Sequence, residues 1–273
     1  MSPQVGTLDD IALRDALADD PDAALALLAD MMTATDERLR AAAQRIASRL
    51  VLDRSRVGRS TRRGTSRPRS VPASRGGDLD IDSSMDAIAA AYAESRTPSL
   101  DELVSRDWGQ PDLALCLVVD NSGSMNGTRL AAAAVTAAAC VLRAPAEHAV
   151  LAFAREVQVI KSLSSQAKPT TTVDRVLRLR GHGVTGLASA LQAASEQLVS
   201  ARAERRVVVL LSDCRATDEN DPVPVASRIP ELLILAPADD CEEAARLALA
   251  SGGRYVALSG AVSAPGLLDE LLG

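Results

Sequence analysis

Five oxygen-bearing side chains stand where a fold could gather them: Asp120, Ser122 and Ser124 in "VVDNSGS", Thr185 in "GHGVTG", and Asp213 in "LLSD". Two carboxylates and three hydroxyls, without a thiolate or imidazole, form a hard-oxygen set that suits Mg²⁺, and Mn²⁺ or Ca²⁺ less selectively. Mg²⁺ takes about six oxygens at ~2.0–2.1 Å and keeps waters where a protein supplies fewer. Two carboxylates leave such an ion electrophilic, so that an open position can accept a carboxylate from another protein. A helix N-cap is the competing use for the Asp-Ser cluster, because both side chains bond exposed amides at a helix start. Capping does not explain Thr185 and Asp213.

The elements around these residues decide whether they meet. After Pro111 the runs "LALCLVVD", "AVLAFA", "RRVVVLLSD", "ELLILAP" and "RYVALSG" alternate with Ala-rich helical stretches. Near-continuous apolarity in the runs predicts strands covered on both faces, in an α/β fold with a Rossmann-like, doubly wound, mostly parallel sheet joined by right-handed crossovers. "AVLAFA" and "EVQVIKSL" are too close for a crossover, so the second is expected as an antiparallel edge strand. Asp120 and Asp213 each end a strand. Thr185 begins a helix feeding the strand that ends at Asp213, and such a helix runs back along the sheet. Its start therefore lies at the same carboxyl edge as both aspartates, where open α/β sheets bind ligands.

Upstream, residues 1–53 carry apolar positions at helical spacing and predict a small helical domain of about three helices. Residues 54–77 read as a flexible linker: "RSRVGRSTRRGTSRPRSVPASR" holds eight arginines and no acid, a composition unable to form a core. Residues 78–108 form a connecting segment with a short extended piece at "DLDI" and a helix capped near Ser83 or Ser84. Residues 109–273 make the α/β domain.

Composition excludes several functions. With 1% aromatic residues there is almost nothing on which bases could stack, and a net charge of -6 opposes whole-protein attraction to nucleic acid. The arginine-rich linker is the exception in charge, without a folded basic domain behind it. Cys116, Cys140, Cys214 and Cys241 form no CxxC pair and the start "MSPQVGTLDD" is not a secretory signal, so a reduced, cytoplasmic setting is expected. No apolar run reaches the roughly 20 residues that cross a bilayer. His148 and His182 are expected to be structural, and Cys214 an ordinary thiol lacking a paired base. Asp218, Glu219 and Asp221 read as a solvated loop at the rim of the site.

"DNSGS", a later threonine and a strand-terminal aspartate together resemble the metal-ion-dependent adhesion site of von Willebrand factor A (VWA) domains, over about residues 109–273. The resemblance implies that Ser122 and Ser124 give their hydroxyls directly to the metal. It implies that Asp120 and Asp213 bind directly or through water, and that Thr185 joins in some ligand states. Two departures stand out: Gly183-Val184-Thr185 where relatives often have Gly-Gly-Thr, and Cys214 where glycine is common. With the helical N-terminal region and "GDLDI", the chain is also similar to bacterial CoxE and magnesium-chelatase D-subunit-like proteins. That implies a non-catalytic, metal-dependent adaptor that grips an acidic side chain of a partner, either a MoxR-like AAA+ ATPase or its client. No GxxxxGK[ST] motif occurs, so the ATPase would be another chain. The competing enzyme is an Asp-Mg²⁺ phosphotransferase of haloacid dehalogenase type, but that chemistry wants an acid where this chain has Ser122.

Overall fold

The computed structural model describes residues 10–31, 37–55, 69–75, 78–107, 113–122, 127–180 and 183–272. Ser124, His182 and most of the arginine-rich stretch lie outside them. Three helices come first: α1 (Asp10–Asp19), α2 (Pro21–Met31) and α3 (Glu37–Ser55). A small unit spans Ser60–Pro111 and contains β1 (Arg69–Pro72), β2 (Asp78–Leu79), α4 (Ile81–Ala93) and β3 (Val104–Asp107). The remainder runs β4 (Leu113–Asp120), α5 (Gly127–Arg143), β5 (Glu147–Phe153), β6 (Val157–Lys161), α6 (Pro169–Val176), α7 (Leu187–Val199), β7 (Arg205–Leu211), α8 (Val223–Ala226), β8 (Leu232–Pro237), α9 (Glu242–Ser251), β9 (Arg254–Leu258) and α10 (Ala264–Leu272).

Six strands form the large sheet in the order β6-β5-β4-β7-β8-β9. All its pairs are parallel except β5 with β6, the expected antiparallel edge. Alternation along each strand splits the apolar side chains between two cores. Leu115, Leu117, Val119, Val207 and Val209 face one, and Ala114, Cys116, Val118, Val208 and Leu210 face the other. The chain leaves β4 toward β5 in one direction and returns through α7 to β7 on β4's other side. The carboxyl ends of β4 and β7 therefore flank the point where strand order reverses, the usual crevice of a doubly wound sheet.

Residues 1–53 were expected as a domain of their own, but the structure groups the first 59 residues with 112–273 in one compact unit. The cause is α5. Its sequence, "GTRLAAAAVTAAACVLR", is apolar almost all round, and 13 of its residues are buried; a helix of that kind must be covered on both sides. The sheet covers one side. On the other, Leu25, Leu28, Ala29, Ala43, Ala47 and Val51 from α2 and α3 join the same core, and the Ser55 hydroxyl donates to the Val135 carbonyl at 3.1 Å. Gly127 marks how closely α2 approaches: a Cβ there would stand 2.5 Å from the Ala26 carbonyl oxygen.

In the small unit, β1 and β2 both pair antiparallel with β3. The α4 cap is Asp80, not Ser83 or Ser84: its carboxylate accepts from the Ser83 amide at 3.2 Å, the Ser83 hydroxyl at 2.7 Å and Arg106 Nε at 2.8 Å. Those bonds to Ser83 and Arg106 lower its pKa to about 2. Ser84 instead turns inward, donating to the Asp80 carbonyl at 2.7 Å and accepting from the Val104 amide at 2.9 Å. The second aspartate of "GDLDI", Asp80, thus organises this unit.

Candidate metal-binding site at the carboxyl edge of the sheet

The β4–β7 register places Val119 opposite Leu211, so the chain leaves both strands side by side. Asp120, Ser122 and Asp213 consequently line one cavity of about 530 Å³, with Arg129 at its side and Leu211, Leu258 and Ala132 as its apolar wall. Thr185 is buried at the same carboxyl edge but does not line that cavity. Its amide donates to the Thr217 hydroxyl at 2.7 Å and its carbonyl accepts from the Thr217 amide at 3.2 Å. The next residue, Gly186, donates to the Ala154 carbonyl at 2.8 Å, and a Cβ there would press on that oxygen at 3.2 Å. A glycine is what lets the start of α7 sit so close to the end of β5.

Each carboxylate is held by its neighbours. Asp120 Oδ1 accepts from the Ser122 amide at 2.9 Å, and Oδ2 accepts from the Ser212 hydroxyl at 2.6 Å. Asp213 Oδ1 accepts from the Arg215 amide at 3.0 Å, and its Oδ2 stands 3.9 Å from an Arg129 nitrogen. One such bond leaves further lone pairs on each oxygen. Burial raises the Asp213 pKa, the Arg215 amide opposes this, and the neighbouring Asp120 charge raises it again. The pocket thus carries negative charge that a cation would relieve.

Cys214 adopts φ 62, the left-handed conformation that glycine takes without cost, and its amide donates to the Ser212 hydroxyl at 2.9 Å. The departure from glycine therefore changes the residue and not the turn. Burial, reinforced by Asp213 and Asp120, pushes its thiol up to about 12, which fits an inert side chain. In the loop beyond, Asp221 accepts from the Val223 amide at 2.9 Å and Asn220 donates to Asp218 at 3.0 Å. These are local turn bonds at the rim.

Sequence reasoning missed Ser212 and Thr217. Ser212 had a signal, since it sits between an apolar strand and its terminal aspartate; Thr217, within "RATDEN", had none. Among the described residues no three acidic, histidine or cysteine side chains converge. A cation here would therefore depend on two carboxylates together with hydroxyls. Such an all-oxygen set, with two half-buried acids, fits Mg²⁺, Mn²⁺ or Ca²⁺ and not a thiophilic metal.

No helix among the described residues is long and apolar enough to cross a membrane. No curated protein matches the chain. Among solved structures it is similar to a von Willebrand factor type A protein from Catenulispora acidiphila, at 18% identity and TM-score 0.49, over 62% of this chain and 43% of that one. BatB from Bacteroides thetaiotaomicron aligns at 13% identity and TM-score 0.47, over 60% of this chain and 97% of its own. The manganese-loaded TRAP protein of Plasmodium vivax aligns at 15% identity and TM-score 0.44, over 56% and 72%. The chain spans less than half the length of the first of these. The model of the family described as VWA domain containing CoxE-like protein matches residues 49–244, well over half the chain. The protein therefore belongs to the CoxE-like family of VWA domain proteins.

Proposed function

We propose that this protein is a non-catalytic adaptor that uses a divalent cation, Mg²⁺ or else Mn²⁺ or Ca²⁺, to grip an acidic side chain of a protein partner. Membership of a VWA family supports the coarse part of this reading, an interaction module. The observation that carries the finer part is the shared cavity of Asp120, Ser122 and Asp213 at the reversal point of the sheet. Asp120, Ser122 and Asp213 would hold the ion, with Ser124 and Thr185 joining as the resemblance implies. When bound, the cation supplies an electrophilic position that a partner's carboxylate can complete.

The chain's own residues prepare this exchange. The Ser122 amide and the Ser212 hydroxyl fix the Asp120 carboxylate, and the Arg215 amide fixes that of Asp213, so neither must be ordered when a ligand arrives. Arg129 lends positive charge beside the opening and favours an acidic visitor. Leu211, Leu258 and Ala132 offer an apolar wall to the rest of the entering side chain. The partner of this reading is a MoxR-like AAA+ ATPase or a client delivered to it.

Copurification of the intact protein from its source cells in Mg²⁺ and in chelator, for wild type and Ser124→Ala, tests the proposal. The partner is expected to be retained only by wild type in Mg²⁺. Equal retention in all four conditions would mean that the partner docks elsewhere.

A further inference from the structure

The turn after β4 serves two cavities of opposite charge. Asp120 and Ser122 line the acidic one, while Asn121 between them lines a second cavity of about 500 Å³ together with Gln158 and Ile160 of β6 and with Arg175, Arg178 and Arg180. Among the described residues no acid lines this second cavity. Asp174, the acid of α6, is not among its walls.

Asn121 is 8% exposed, and its Oδ1 has no hydrogen-bond partner among the described residues. A buried amide oxygen left unpaired keeps its desolvation penalty uncompensated, so a ligand that brings an N–H donor is favoured there. Its backbone is fixed independently, the amide donating to the Phe153 carbonyl at 2.7 Å. Arg175 is anchored by donating to the Ile160 carbonyl of β6 at 2.8 Å, and β6 is an edge strand of the sheet. Arg178 and Arg180 are exposed.

We infer that this basic cavity is a second, metal-independent binding site, and that it takes an acidic peptide segment. The peptide's carboxylates meet the guanidinium groups, which favour planar oxyanions, and a peptide N–H meets Asn121 Oδ1. Inorganic phosphate offers the arginines a single compact oxyanion, whereas a peptide offers spaced carboxylates and a backbone N–H together. Nucleic acid would find no aromatic platform among the described residues that line the cavity.

The probe is a fluorescein-labelled, eight-residue peptide of alternating glutamate and valine, titrated by anisotropy with the full chain in EDTA at low salt. Saturable binding is expected, with loss when glutamine replaces glutamate. Arg178→Glu combined with Arg180→Glu should weaken it by roughly tenfold or more, at an unchanged melting temperature, and Asn121→Ala should weaken it in the same direction. Asp213→Ala should leave it intact, which separates this site from the metal-dependent one. Absence of binding in EDTA, equal affinity in the double variant, or displacement by equimolar inorganic phosphate would overturn the assignment.

Discussion

At the scale of single residues, hydrogen bonds made by neighbours decide which side chains are ready for chemistry. Asp120 looks from the sequence like a strand-end carboxylate of open purpose. In the fold both its oxygens are already oriented, one by Ser122 and one by Ser212. That suits a ligand held in place better than a nucleophile that must attack. The cysteines follow the same logic. Burial pushes Cys140 and Cys214 up to about 12 and raises Cys116 further, whereas Cys241 is only partly buried. Brief alkylation with iodoacetamide at neutral pH, read by mass spectrometry, should modify Cys241 first and leave the other three protected until denaturant is added. Early labelling of Cys214 in native protein would contradict the inert turn described for it. Asp120, Ser122 and Asp213 were legible as a group because each lies at a fixed offset from a strand end. Thr217 was not, because a hydroxyl that positions another group carries no spacing of its own, and Ser212 had only its place between the strand and Asp213 as a signal.

At the scale of elements, the four inner strands of the large sheet, β4, β5, β7 and β8, were legible because burial on both faces makes each a nearly continuous apolar run, whereas the edge strands β6 and β9 are partly exposed and carry polar residues. Caps were harder: "DLDIDSS" offers several capping side chains in succession, and the position of β3 with Arg106 decides for Asp80. β5 carries a further consequence in His148, which is 4% exposed and bonded through Nδ1 to the Ala144 carbonyl at 2.8 Å. Burial, with the charge of Lys161 second, lowers its pKa from 6.5 to about 4. The folded state thus resists a proton that the unfolded chain accepts, so the contribution of neutral His148 is present above pH 6.5 and is lost as pH falls toward 4. The loss is at most about 3 kcal/mol. Melting temperatures across that window should fall less steeply in His148→Gln than in wild type. Parallel profiles would show that His148 is not the group responsible.

At the scale of the whole molecule, the N-terminal helices are part of the body that holds the site. Helical periodicity reveals which face of a helix is apolar, not what covers it, so their destination was hidden. The all-round apolarity of α5 was the available clue. A chain starting at residue 56 should expose α5 and the partners it shares with α2 and α3, and should bind a hydrophobic dye or aggregate. A monodisperse product with the wild-type melting temperature would refute that shared core. The central claim concerns the cation itself, and calorimetric titration of the full chain with Mg²⁺, then Mn²⁺, tests it most directly. Wild type should bind one ion per chain, while Asp120→Ala and Asp213→Ala, with folds verified by circular dichroism, should lose at least roughly tenfold in affinity, because each removes one of two anionic ligands. Undiminished binding in both variants, or no binding by wild type, would contradict the account.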